Sequence, residues 1–120
     1  MNSISIILPV HNEEKNLKEL LLSWSKLLNQ NKIDYEFIIV EDGSTDRTKE
    51  IIVELEQTYP IINLSQKEKR GYSKAVVDGI THSTKKFILC TDSDNQIKVN
   101  SLIENLINFP NDNEFLIGYR

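Results

Sequence analysis

Four short apolar runs alternate along this chain with segments whose apolar residues recur at helical spacing. The runs are Ser3 to Val10, Tyr35 to Val40, Ile61 to Leu64 and Lys86 to Thr91. Each has the length and composition of a buried strand. Between the first two, Leu17, Leu20, Leu21, Trp24, Leu27 and Leu28 form one stripe over about three helical turns. Shorter helical patterns run from about Asp46 to Gln57, with Ile51, Ile52 and Leu55 turned inward, and from Ser73 to Ser83, with Ala75, Val76 and Ile80 inward. A helix from about Val99 to Asn108 and a last strand from Glu114 to Gly118 complete the alternation. Asn12 is placed to cap the first helix, with Glu13 and Glu14 in the first turn, where the helix dipole favours acids. Strands alternating with helices of this length specify βαβ units, hence an α/β fold with a mostly parallel sheet flanked by helices.

The 120 residues make one small domain, residues 1–120, long enough to build a core. A net charge of −4 argues against nucleic acid as a partner, since a nucleic-acid binder shows a basic face. The single cysteine, Cys90, lies inside an apolar strand and reads as a packed core thiol. One cysteine excludes a disulfide within a monomer, which fits a reducing compartment. Two histidines and one cysteine also make a conventional zinc site hard to assemble. The first apolar run has no basic segment before it and stops at Pro9, unlike a signal peptide. No segment approaches the ~20 apolar residues that span a bilayer. A cytoplasmic chain is expected, soluble or peripheral to a membrane.

Three polar clusters follow three of the strands. They are Pro9-Val10-His11-Asn12-Glu13-Glu14, Glu41-Asp42-Gly43-Ser44 and Asp92-Ser93-Asp94. Parallel strands bring their C-terminal ends to one edge of the sheet, where open α/β sheets bind ligands. One cluster is a turn; three at one edge make a site. Asp92 and Asp94, with Asn95-Gln96 adding oxygen donors, suit a hard divalent cation, Mg²⁺ or Mn²⁺ rather than zinc. Taken alone, the same residues also fit a solvated turn capping the next helix. Asp42, beside a glycine that permits a sharp turn, is placed either to accept hydrogen bonds from a nucleobase or ribose, or to close an Asx-turn at the strand–helix junction. Its turn is expected to leave the carboxylate free to face the crevice. His11 reads as a stacking or hydrogen-bonding wall. Lys67, Lys69 and Arg70 either face a phosphate or are simply solvated.

Together these segments resemble the nucleotide-sugar-binding, N-terminal part of the family 2 glycosyltransferases. Ser5 to Glu14 resembles their opening strand and turn, Ile38 to Asp46 their second-strand signature, and Arg70-Gly71 through Ala75 to Gly79 their glycine-containing third segment. Asp92-Ser93-Asp94-Asn95-Gln96 stands in the place of their D-x-D metal motif, and Ile117-Gly118-Tyr119-Arg120 is similar to a later G-x-R stretch. The resemblance covers essentially the whole chain. It implies the GT-A, Rossmann-like fold. The Asp-x-Asp-x-Gln form and the closing Gly-x-Arg most resemble the polyprenyl-phosphate sugar transferases, of the dolichyl-phosphate mannose synthase type. By that resemblance Asp92, Asp94 and Gln96 hold the metal, and Pro9, Val10, His11, Glu13 and Asp42 line the nucleoside. Arg120 approaches a phosphate, and Arg70 is counted with it among the nucleotide-binding residues. His11 stands where Tyr or Phe is common, Lys69 where Asn is frequent and Glu41 where Asp is frequent, so the base stays open. Family members continue well beyond this length, so the chain reads as truncated. An unpaired last strand in such a chain invites self-association.

The activity implied is inverting transfer of a sugar from a nucleoside diphosphate sugar, with a divalent cation neutralising the departing diphosphate. A lipid phosphate acceptor at the membrane surface is already anionic and needs no protein base, whereas a hydroxyl acceptor needs one. No catalytic base is named in this chain. The alternative is a nucleotide-sugar-binding module without activity of its own, acting with a partner chain. A phospho-receiver domain fits poorly, because the third strand ends at Leu64-Ser65 without the acidic acceptor such a domain needs.

Overall fold

The computed structural model describes residues 2–66, 71–91 and 115–117. Its elements run β1 (Ser3–Val10), α1 (Leu17–Gln30), β2 (Asp34–Asp42), α2 (Thr48–Leu55), β3 (Ile61–Gln66), α3 (Tyr72–His82), β4 (Phe87–Cys90) and β5 (Phe115–Ile117). The helix expected over Val99 to Asn108 lies outside the described residues. Among the described residues all the strand pairings are parallel, in the order β3-β2-β1-β4-β5. The expected α/β architecture is therefore observed.

The two-residue period of the strands divides the core into two layers. Ile4, Ile6, Leu8 and Val10 of β1 join Phe37 and Ile39 of β2 and Phe87 and Leu89 of β4 on one face. That face is covered by α1 and α2 through Leu17, Leu20, Leu21, Trp24, Leu28, Ile52 and Leu55. Ile7, Ile38, Val40 and Cys90 point to the other face, against Ala75 of α3. Each fully buried Leu or Ile stabilises by roughly 1.5–3 kcal/mol, far more than the few tenths separating helix propensities. Burial, not propensity, is what seats these helices.

Three local expectations are corrected. Asn12 does not cap the first helix, which starts at Leu17 with Asn16 in the capping position; a turn closed by the Asn16 and Leu17 amides on the Glu13 carbonyl comes first. Leu27 packs at the margin of the core rather than within it. Ile80 of α3 is exposed, because the helix lies so close to β1 that a glycine occupies the contact. A methyl group built on Gly79 would collide with Ile7 Cγ2. The helical face toward the sheet is thus set by Gly79 and Ala75, a signal that apolar periodicity does not carry.

The crossovers place the site. β1-α1-β2-α2-β3 builds outward on one side of β1, and α3 then returns across the opposite face to β4 on the other side. The strand order reverses between β1 and β4. Crevices outside the carboxyl ends of strands at such a reversal are where this architecture binds ligands.

Candidate functional site

The loops after β1 and β2 are joined through side chains. His11 Nδ1–H donates to the Asp42 carbonyl oxygen at 2.9 Å. A carbonyl oxygen only accepts, so this bond assigns the proton to Nδ1 and leaves Nε2 as the acceptor, 3.4 Å from the Asn12 Nδ2 donor. Asn12 adopts φ +53°, a left-handed backbone that Asn tolerates better than most residues. From there its Oδ1 accepts the Thr45 amide at 2.8 Å and the Asp46 amide at 3.4 Å, while its own amide donates to Ser44 Oγ at 2.9 Å.

A second set of bonds lies one turn further on. The Glu13 amide donates to Thr48 Oγ1 at 2.9 Å, and that hydroxyl donates onward to Asp46 Oδ1. Asp46 also accepts the Thr48 amide at 2.9 Å and the Glu14 amide at 3.3 Å. Burial works against its charge, but the Thr48 hydroxyl and amide and the Glu14 amide outweigh it and hold the carboxyl below its usual range. The Arg47 amide returns a bond to Glu14 Oε2 at 3.4 Å.

Beneath these loops Glu41 is fully buried. Its carboxylate accepts the Ser44 amide and, at 2.8 Å, the Ser65 hydroxyl, with Lys49 Nζ at 3.7 Å. A buried carboxylate persists only when paired and hydrogen-bonded, so Glu41 shapes the turn from within. Asp42, on the α3 face, is also buried. Its Oδ2 accepts the Gly71 amide at 3.0 Å, so the expectation of a carboxylate wholly free to face the crevice is corrected. Gly71 has φ +96°, which only glycine adopts without strain, and this turns its amide toward Asp42 as α3 begins.

The structure thus brings Pro9, Val10, His11, Glu13 and Asp42 to one edge. Val10 is a core residue by its side chain, so only its backbone can face a ligand. Arg70, Asp92, Asp94, Gln96 and Arg120 lie outside the described residues. Among the described residues no group of three or more His, Cys, Asp or Glu could hold a metal ion. The last described residue before the Asp92 cluster, Thr91, is buried and donates its amide to the Ile7 carbonyl at 3.1 Å, so the chain leaves β4 alongside β1. Sequence reading missed Asn12, Asp46 and Thr48 as partners between loops. The Asp46-Arg47-Thr48 spacing ahead of a helix was the one signal for them. It also missed a second network at the opposite end of the sheet. There the buried Glu36 accepts the Ser5 hydroxyl at 2.7 Å and both the amide and hydroxyl of Thr84 at 2.8 Å.

A model of the family described as "Glycosyl transferase family 2" matches residues 5–118. The chain belongs to this family. Among curated proteins, this family 2 chain is 33% identical over 112 residues to a dolichyl-phosphate beta-glucosyltransferase, ALG5D, of Trichomonas vaginalis, covering 87% of the chain and 34% of that protein. It is 33% identical over 93 residues to a dolichol-phosphate mannosyltransferase of Pyrococcus furiosus, covering 78% and 26% respectively. The chain therefore spans about a third or less of the length of these relatives. Among solved structures it resembles the mannosyltransferase PcManGT from Pyrobaculum calidifontis in complex with GDP-Man and Mn²⁺. There the TM-score is 0.65 and the identity 25%, over 76% of this chain and 27% of that one. It also resembles S. aureus TarS 1-349, with a TM-score of 0.70 and 26% identity over 89% of this chain and 32% of that one. Its parallel sheet flanked by helices is the fold expected of a family 2 glycosyltransferase. No helix among the described residues is long and apolar enough to cross a membrane.

Proposed function

We propose that residues 1–120 form the donor-binding domain of a glycosyltransferase that takes a sugar from a nucleoside diphosphate sugar and delivers it, with inversion, to a polyprenyl phosphate. The observation that carries this reading is the meeting of His11, Asp42 and Gly71 at the C-terminal edge of the sheet, with β4 running parallel to β1 and Thr91 bonded to it at Ile7. In this reading Asp42 and His11, with Pro9, Glu13 and the Val10 backbone, line the nucleoside. The solved neighbour with GDP-Man and Mn²⁺ supports a nucleotide-sugar donor, and the two dolichol-phosphate relatives support a lipid phosphate acceptor.

Asp92, Asp94 and Gln96 would hold the metal. Two carboxylates and an amide oxygen are a donor set for Mg²⁺ or Mn²⁺. When bound, such a cation supplies charge neutralisation for the departing diphosphate. Arg70 and Arg120 add positive charge for the phosphates. The acceptor phosphate is its own nucleophile, so the residues of this chain bind and orient the donor rather than remove a proton.

Titration of the chain with UDP and GDP, with and without MnCl₂, tests the reading. At least one nucleotide should bind, more tightly with the metal, because an acidic edge repels a diphosphate until a cation bridges the two. Asp94→Ala should abolish the metal-dependent part alone. Equal affinity with and without metal in the unmutated chain refutes it. Transfer from the preferred donor to a polyprenyl phosphate then separates an enzyme from a binding module.

A further inference from the structure

The Asn12 side chain spans two loops that the proposed donor site needs held together, and nothing in the donor reading uses it. Its Oδ1 accepts the Thr45 and Asp46 amides across the gap, and its backbone amide donates to Ser44 Oγ. On one side it is covalently next to His11; on the other, Ser44 follows Asp42 and Gly43. The His11–Asp42 bond is therefore flanked along both chain segments by hydrogen bonds that fix the turn, the Asn12 clasp and the Ser44 amide on the buried Glu41 carboxylate. A second clasp, Glu13 amide to Thr48 hydroxyl to Asp46 carboxylate, closes the far side of the same loop.

We propose that Asn12 is a positioning residue that fixes the Asp42–Asp46 loop against the His11–Glu14 loop, so that the His11 ring and the Asp42 carboxylate are preorganised for a nucleoside. Two properties of Asn are used at once. It accepts the left-handed φ of +53° with little strain, and its carbonyl oxygen has two lone pairs for two amides. Glycine supplies the first property and not the second. Aspartate supplies both. Without the clasp, the Thr45 and Asp46 amides open to water and the loop samples many conformations, of which a ligand must select one. The apparent affinity falls by the competent fraction.

The inference rests on the donor reading for its ligand, but its local half is testable without one. Amide hydrogen exchange should show Thr45 and Asp46 protected in the unmutated chain, exposed in Asn12→Gly and protected again in Asn12→Asp. In parallel, binding of UDP and GDP with MnCl₂ should weaken about tenfold in Asn12→Gly and recover to within about twofold of the unmutated chain in Asn12→Asp. Unchanged amide protection in Asn12→Gly overturns the clasp. Equal weakening in both variants overturns the side-chain role and leaves only a sensitivity to substitution. If the amide pattern is as stated but the unmutated chain binds neither nucleotide, the donor reading fails, the clasp stands, and its link to nucleoside binding is overturned.

Discussion

Asp42 Oδ2 accepts the Gly71 amide at 3.0 Å, which ties the end of β2 to the residue that opens α3. The same residue's carbonyl holds the His11 ring. Asp42 is thus a junction between three segments distant in sequence, and its substitution probes the site more directly than any other.

Asp42→Asn keeps one carbonyl oxygen for Gly71 but removes the charge. Losing a hydrogen bond to a charged group costs on the order of 1.5–3 kcal/mol of binding. The loss should be the same for a nucleoside and its diphosphate, and independent of metal, as read by titration calorimetry. Weakening confined to the metal-loaded diphosphate would place Asp42 at the phosphate end instead.

Gly79→Ala puts a methyl group against the fully buried Ile7 side chain of the central strand. Overpacking of this kind costs about 1–3 kcal/mol, read as a lower urea midpoint. On an Ile7→Ala background the added cost should shrink, because the clashing atoms are gone. An equal cost on both backgrounds would mean that helix backbone, not the contact, is responsible.

Glu36→Ala should destabilise the chain by about 1–3 kcal/mol through the donors of Ser5 and Thr84 left without their acceptor. Nucleotide affinity should not change, since this network lies at the opposite end of the strands from His11 and Asp42. A variant that stays fully stable yet loses affinity would join the two ends of the sheet.

Asp46 has its carboxyl held below the usual value of 3.8 in the folded chain. A depressed carboxyl contributes stability that is present above the unfolded value and lost as pH falls through the folded one. Asp46→Asn should therefore be less stable than the unmutated chain near neutral pH, and the gap should close on acidification below about 3.8. Parallel unfolding curves at pH 7 and in that acid range check it. A gap of constant size would assign the loss to geometry and not to charge.

The elements themselves were legible in the chain. Short apolar runs marked the strands and helical spacing the first three helices, because segments that must be buried leave their length and spacing in the sequence. The division of β1 into Ile4, Ile6 and Leu8 on one face and Ile7 on the other follows from the pleat alone. The gathering of the first two polar clusters, after β1 and β2, at one edge followed from parallel strands. Ends were less legible. The position of Asn12 before an apolar stripe predicts a helix cap, because a polar residue there usually serves the nearest free amides. The nearest in space belong to Thr45 and Asp46, more than thirty residues away.

Sequence by itself determined the α/β alternation, the family and the candidate residues, since each is written in local spacing or in short ordered motifs. Only the tertiary structure decided what those residues touch. Glu41 and Asp42 are adjacent acids, yet the pleat sends one carboxylate to Lys49 of α2 and Ser65 and the other to the Gly71 amide. Gly79 and Ile80 are neighbours on one helix, and only the distance to Ile7 shows why the smaller of them faces the sheet. Side-chain hydrogen bonds between loops depend on three-dimensional proximity within about 3 Å, and no one-dimensional pattern encodes that.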